Sequence, residues 1–591
     1  MMIKNISKNY ISVITALIWT LSIASYTSLE SGFVSFGDCI LFLLFVILIF
    51  RCDNLYSLML SPGKKNLALS AAVSAILVLG QVIYTNHYLT PLFRRPLYYF
   101  ILFVGTTHFL AVFVPYAYQK LIRMLPYSHL HIELKTKHAV VFFAVTLALD
   151  LVAFISYFPG CASYDYGPTI SQATEAALFS NQQPVLYILI WKLPILVAQI
   201  TGNKFAANIF YSVVQILIVD LVCLYMLVWL KRHNISSVFI VLSAIYLAFT
   251  PTFWLFSFLP TKDVFFACAV IVFATSLYDL ITTENSKVTC FISCVLSCFL
   301  RNNMVYAAVA LVFLALVFNL AKSRKTLLIV LPAILSYLIV PLFVYPLLNI
   351  EYTDSAELLS IPIQQISALY SYDGFFSEED RQVIEQYLPT VADYNYRFAD
   401  PVKNYMNNKL YNSDSGPFWR IYLKGLSKSP HIYLCSALDT NVPMWYPAST
   451  AYDEYSEIEY IELELYPSED AIPYYTGGIF GRLRSWYNDI AHVKSPICSL
   501  PLVRNYLSLS FPFWILLTCL IVMIKNGKRY EAIVPIMFLL LEATYLLGPV
   551  TNYKYLYPMY LAFPLIIGLA LPKELKQNQP DNQPHYSDPS Y

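Results

Sequence analysis

The chain has 591 residues, 58% of them hydrophobic, 16% aromatic and only 13% charged, with a mean hydropathy of +0.56 and a formal net charge of +1. Soluble domains carry about a quarter charged residues, so this composition excludes a water-soluble globular protein and predicts a polytopic membrane protein. The near-zero charge hides a split: residues 350–505 hold 21 Asp and Glu against 11 Lys and Arg. That acidic excess argues against a nucleic-acid partner.

Apolar runs long enough to cross a bilayer, which takes roughly 17 to 25 helical residues, begin at 11–27 and continue through 36–50, 67–84, 97–117, 139–157, 205–230, 236–256, 264–282, 326–349, 506–524, 530–547 and 555–571. Two shorter runs, 288–300 and 304–319, flank Arg301-Asn302-Asn303 and read as a tight helical hairpin. The first run lacks a small-residue cleavage site and is expected to stay as an uncleaved anchor. Cytoplasmic loops are rich in Lys and Arg. Lys4 and Lys8, Arg51 with Lys64 and Lys65, Lys120 to Lys137, Lys322 to Lys325 and Lys525 to Arg529 all fall on the cytoplasmic side if 184–200 does not cross, and the exception to the rule is Arg94 with Arg95. Lys192 and Pro194 interrupt that 184–200 run, which supports reading it as a juxtamembrane or re-entrant element.

The expected protein is therefore a polytopic α-helical membrane protein of about fourteen spans, in the plasma membrane, with both termini cytoplasmic. Its parts are a four-span extension (1–138), a transmembrane core (139–349) with a long outer loop (158–204), an extracytoplasmic acidic block (350–505), three last spans (506–571) and a disordered tail (572–591). Ser377 with Asp380 three residues on predicts a capped helix. EIEYIELEL (457–465) alternates as a half-exposed strand does, so the outer block is expected to be α+β.

The distinctive polar residues all fall on the outer face. Asp165 follows the Pro159-Gly160 turn and is either a general base or a helix cap. Asp263, after Lys262 at the head of a span, is an N-terminal charge or a second acid. Lys554, Lys262 and Arg301 are outer-end cations suited to a phosphate or to interfacial snorkelling. Gln172 and Gln183 lie in the outer loop, and Trp445-Tyr446 is the best aromatic pair for stacking on a sugar. Asp150 and Asp220 sit within spans, as a proton path or, preferably, as a contact between helices. Cys290, Cys294 and Cys298 share a helix face without His or acid neighbours, so packing is preferred to a metal site. Whether a divalent metal or other cofactor is needed is open, since the sequence indicates none, and so is whether Cys435 and Cys498 pair.

In chain order these features resemble the GT-C superfamily of membrane glycosyltransferases: an acid in a long outer loop (Asp165), a juxtamembrane element opened by Gln183-Pro184, a second acid in the next outer loop (Asp263), and Lys554-Tyr555-Leu556-Tyr557-Pro558 near the last span. The chain also looks like a bacterial family of uncharacterised polytopic proteins in which PG, S-x-D, a downstream Gln, a KD turn and PIQQI recur in this order. Where many GT-C enzymes have a second acid, His and Arg, this chain has Tyr166, Gln183 and Lys554. The resemblance implies a glycosyltransferase that moves a sugar from a polyprenyl-phosphate donor to a cell-surface glycan, lipid or protein. Asp165 and Asp263 would be catalytic, Lys554, Lys262 and Arg301 would hold the donor phosphate, and Gln172, Gln183, Trp445 and Tyr446 would bind sugar or acceptor. The competing readings are a transporter or flippase of lipid-linked glycan, and a noncatalytic envelope-assembly protein.

Overall fold

The structure is a computed structural model, and it describes residues 11–22, 43–49, 52–124, 133–163, 165–203, 205–322, 324–372, 374, 376–447 and 478–572. Among the described residues six helices are long and apolar enough to cross a membrane: α1 (Lys64–Asn86), α2 (Pro96–Met124, apolar to Ala117), α3 (Thr136–Ser156), then, beyond the short helix α4 (Tyr166–Ala173) and α5 (Val185–Thr201), α6 (Ala206–Arg232), α9 (Lys262–Thr283), and the stretch Leu327–Leu347, which holds α12 (Val330–Leu347). A bent pair, α7 (Ser237–Phe249) and α8 (Pro251–Phe258), meets at 59° and makes a seventh if taken as one span. The chain is thus a helical membrane protein, but helix length and apolarity do not support fourteen crossings. Several runs read as spans form shorter helices: α10 (Lys287–Leu300), α11 (Asn303–Val317), α18 (Phe511–Lys525) and α19 (Ile533–Tyr545). At about 1.5 Å per residue such helices fall short of a hydrocarbon core about 30 Å thick. Apolar run length measures hydrophobicity, and turns, prolines and caps decide how much of each run is one rod.

Burial orders the bundle. Within its best window α9 is 78% buried, against 28% for α3 and 22% for Leu327–Leu347, so α9 is central and the others face outward. A helix apolar on every side belongs inside. The helix α20 (Tyr553–Ala570) packs along α9 and is buried almost throughout. On α6 the inward face carries Asn208, Ser212 and Gln215, polar groups that need partners where water is excluded. They find them at the broken helix. Gln215 Nε2 donates to the carbonyls of Phe256, Ser257 and Leu259 at 3.1, 3.1 and 2.8 Å, and Ser212 Oγ donates to that of Phe258 at 3.4 Å. The carbonyls that α8 leaves open at its C-terminus are thereby satisfied, and the turn 259–261 entering α9 is fixed.

Among the described residues the 350–505 block consists of helices joined by turns and irregular stretches, and no strand forms. The expected α+β character is therefore not supported; the alternating segment 457–465, like the tail from 573, lies outside the described residues. The block is built from α13 (Ser360–Ser371), α14 (Glu378–Tyr387), α15 (Gly416–Lys428), α16 (Pro430–Trp445) and α17 (Gly478–Ala491). Ser377 caps α14 as its sequence predicts, its side chain accepting from Asp380 N at 3.2 Å. Cys435 and Cys498 are buried free thiols. Cys290, Cys294 and Cys298 are packed in the core, each fully buried, and no cluster of three metal-ligating side chains occurs among the described residues.

Candidate active site at the N-terminal ends of two central helices

Two central helices begin side by side, each with a lysine in its first turn. Thr261 caps α9, its Oγ1 accepting from Asp263 N at 3.4 Å, and Asn552 caps α20, its Oδ1 accepting from Lys554 N at 3.1 Å. The positive end of a helix dipole disfavours a lysine there. The unfavourable placement is offset by an anion, and the loop after α3 supplies one.

That loop turns sharply at Gly160, whose φ of +144° suits glycine and whose Cβ position would sit 3.2 Å from Asn208. Ser163 Oγ then donates to the Pro260 carbonyl at 2.7 Å, and Tyr166 OH donates to Asn208 Oδ1 at 2.7 Å, pinning the loop to the entry turn of α9 and to α6. Asp165 occupies the N-cap position of α4 but its side chain caps nothing. Its Oδ2 receives Lys262 Nζ at 3.0 Å and lies 3.6 Å from Lys554 Nζ, while Oδ1 receives Gln183 Nε2 at 3.2 Å. Lys262 also donates to Gln183 Oε1 at 2.5 Å. Burial alone would raise the Asp165 pKa. The two ammoniums, with the hydrogen bonds from Lys262 and Gln183, more than offset that and hold it well below the usual carboxylate range. This knot of one carboxylate, one amide and two ammoniums joins four separate parts of the chain.

Asp263 and Arg301 are next to it but engaged with each other. Asp263 is completely buried and its Oδ1 pairs with Arg301 Nη1. Thr261 Oγ1 donates to Asp263 Oδ2 at 3.1 Å, and the Arg301 guanidinium lies 4.4 Å from the Tyr555 ring centre and 4.8 Å from that of Tyr545. This arrangement neutralises the pair and leaves the lysines as the cations of the knot. Gln172 accepts from Ser180 N at 3.0 Å, a brace within the outer loop. Trp445 and Tyr446 are not displayed for stacking: both are buried, with Gly80 so close that a Cβ there would meet Tyr446 at 2.6 Å. Glu175 pairs with Lys192 at 2.9 Å on the surface. Asp150 and Asp220 are buried on the neighbouring helices α3 and α6 and reach each other, a contact between helices.

Sequence reasoning missed four residues. His87, Arg397 and Asp439 come together from distant parts of the chain, and nothing in their spacing announces it. Glu542 it also missed, a carboxyl buried one turn before Tyr545 with neither oxygen hydrogen-bonded among the described residues. An acid inside FLLLEATYLL was a readable signal.

No curated protein and no solved structure matches the chain. Residues 172–583 match a family described as a family of unknown function, DUF6020. That span includes Gln183, Lys262, Asp263, Arg301 and Lys554 and begins just after Asp165. The match covers more than half of the sequence, and the chain belongs to this family.

Proposed function

We propose that the protein is a GT-C-type glycosyltransferase that moves a sugar from a polyprenyl-phosphate carrier to a hydroxyl of an extracytoplasmic glycan, lipid or protein. The observation that carries this reading is the knot: Asp165 faced by Lys262 and Lys554, at two helix N-termini pointing at one place. Helix N-termini and lysines together favour a phosphate. Two ammoniums against one carboxylate leave one positive charge, which suits the single negative charge of a phosphodiester.

The same geometry explains how a carboxylate so tightly held becomes a base. The contact from Lys554 is the longer one, so a donor phosphate draws Lys554 toward itself. Asp165 then loses part of what depresses its pKa and faces the acceptor hydroxyl as a stronger proton acceptor. The lysines stabilise the phosphate that leaves as the glycosidic bond breaks. Asp263 and Arg301 hold the head of α9 and the turn beside it and do not themselves touch substrate. Replacing Lys554 by Ala is expected to raise the donor KM about tenfold or more, whereas Arg, which also supplies a cation, stays within a few-fold of the wild type. Transfer of labelled sugar in reconstituted membranes against donor concentration measures this. Equal kinetics of the two variants would remove Lys554 from the site.

The reading also needs the knot to face outward, with 158–204 and 350–505 outside and both termini inside. The Lys192–Glu175 pair supports this, because it holds the middle of α5 level with the polar outer loop. A cysteine at Asn203, an exposed position, is therefore expected to react with an impermeant maleimide in intact cells. Reaction only after the membrane is opened would overturn the topology. A flippase of lipid-linked glycan is the second reading, favoured by the buried pair Asp150 and Asp220. Lipid-glycan translocation without transfer, abolished by Asp220→Asn, would establish it instead.

A further inference from the structure

We infer that the N-terminal extension is a brace for the site, and that His87 is a positioning residue for Lys554. The inference rests on the function proposed above only in what Lys554 does; the brace itself is geometric. Helix α1 ends at His87, which takes a left-handed conformation with φ of 60°. That turn delivers the imidazole into the outer block, where Nδ1 lies 2.7 Å from Asp439 Oδ2 and the ring packs, tilted by 40°, with its centre 4.0 Å from that of Tyr396. Asp439 is 1% exposed. Its other oxygen and its carbonyl both accept from Arg397 Nη1, at 2.5 and 2.7 Å. The Arg397 guanidinium lies 5.0 Å from the ring centre of Tyr84, on α1, and 5.0 Å from that of Tyr396. Extension and outer block are therefore joined by one buried, charged junction.

The neighbours of this junction hold the loop that leads to Lys554. Beside Asp439, the Thr440 carbonyl accepts from Thr551 Oγ1 at 3.2 Å, and Asn441 Nδ2 donates to the Leu546 carbonyl at 2.8 Å. Two residues after Arg397, Ala399 N donates to the Pro549 carbonyl at 3.0 Å. Loop 546–551 is thus tied at three points, all within two residues of Arg397 or Asp439. It ends at Asn552, the cap whose side chain fixes Lys554 N. Every link from His87 to Lys554 is a hydrogen bond or a step of one or two residues along the chain. Ordinary loops are held by their own turns; this one is anchored to the segment that the extension clamps. The family match begins at residue 172 and so includes Arg397, Asp439 and the loop but not His87. The brace is what this chain's extension adds to a site whose lysines and Gln183, though not Asp165, lie within the matched region.

Three variants in the full-length protein test it: His87→Leu, which keeps bulk and loses the polar contact; His87→Gln, whose amide can still donate to Asp439; and His87→Leu combined with Lys554→Ala. Hydrogen exchange of the peptide spanning 546–552 in nanodiscs is expected to quicken about tenfold in His87→Leu, the scale of losing a charge-assisted hydrogen bond when the loss appears as local opening. In His87→Gln it should return to near the wild-type rate. Donor KM should rise several-fold in His87→Leu with kcat little changed, and the same substitution should add nothing once Lys554 is alanine. Unchanged exchange of 546–552 in a His87→Leu protein that melts like wild type overturns the brace. So does a KM effect that persists undiminished without Lys554. Faster exchange in a protein that transfers no lipid-linked sugar leaves the brace standing and removes the proposed function instead.

Discussion

Asp165→Asn is expected to lower kcat by roughly 10²- to 10⁴-fold, the usual effect of removing a general base, while the protein still inserts. The asparagine keeps the shape but takes no proton. Nor does it balance the Lys262 and Lys554 ammoniums, which then face each other across an amide, so thermal stability should fall as well. Those two effects separate on adding polyprenyl phosphate. A bound phosphate supplies the missing negative charge, so the ligand should raise the melting temperature of Asp165→Asn more than that of wild type. The pH profile gives a second check. The depressed pKa keeps Asp165 ionised above its folded value, so in the free enzyme kcat/KM should show no acid limb from this group at or above about pH 5. Near-normal transfer by Asp165→Asn would eliminate the proposed base. Loss of transfer without stabilisation by phosphate would leave Asp165 essential and displace the phosphate from the lysines.

What the sequence showed of this site, it showed through charge and position. Lys and Arg counts placed Asp165, Lys262 and Lys554 on one face, and lone charged residues at the heads of apolar runs are visible because little else there is charged. Which of them touch is decided by tertiary packing. Asp263 and Arg301 gave the same signal and pair with each other beside the knot. Trp445 and Tyr446 looked like a displayed aromatic pair, but the extension covers them. The fold was legible in its class and less so in its count: hydropathy finds runs, but the turn between α8 and α9 is held by hydrogen bonds from Gln215, a residue about forty positions away. The cap at Ser377 was legible because a cap is a local interaction, complete within four residues.

Arg301→Leu is expected to be among the most destabilising single changes in the chain, and its effect does not depend on what the protein catalyses. The substitution leaves Asp263, completely buried, with only Thr261 to bond and no counter-charge. Stranding one member of a buried ion pair costs about 3–5 kcal/mol. It also removes the guanidinium from against the Tyr545 and Tyr555 rings, a cation–π contact that contributes roughly 1–2 kcal/mol when desolvated. Removing both charges together has a different effect, because replacing a buried pair with apolar groups is often neutral or stabilising. Arg301→Leu with Asp263→Leu should therefore recover much of the stability lost by Arg301→Leu alone. Activity should not recover with it, since Asp263 and Arg301 fix the head of α9 and with it Lys262. Thermal unfolding of the purified single and double variants, read beside sugar transfer, makes the comparison. If the double variant is as unstable as the sum of its parts, the two charges do not act as a pair. If it is stable and fully active, they have no part in placing Lys262.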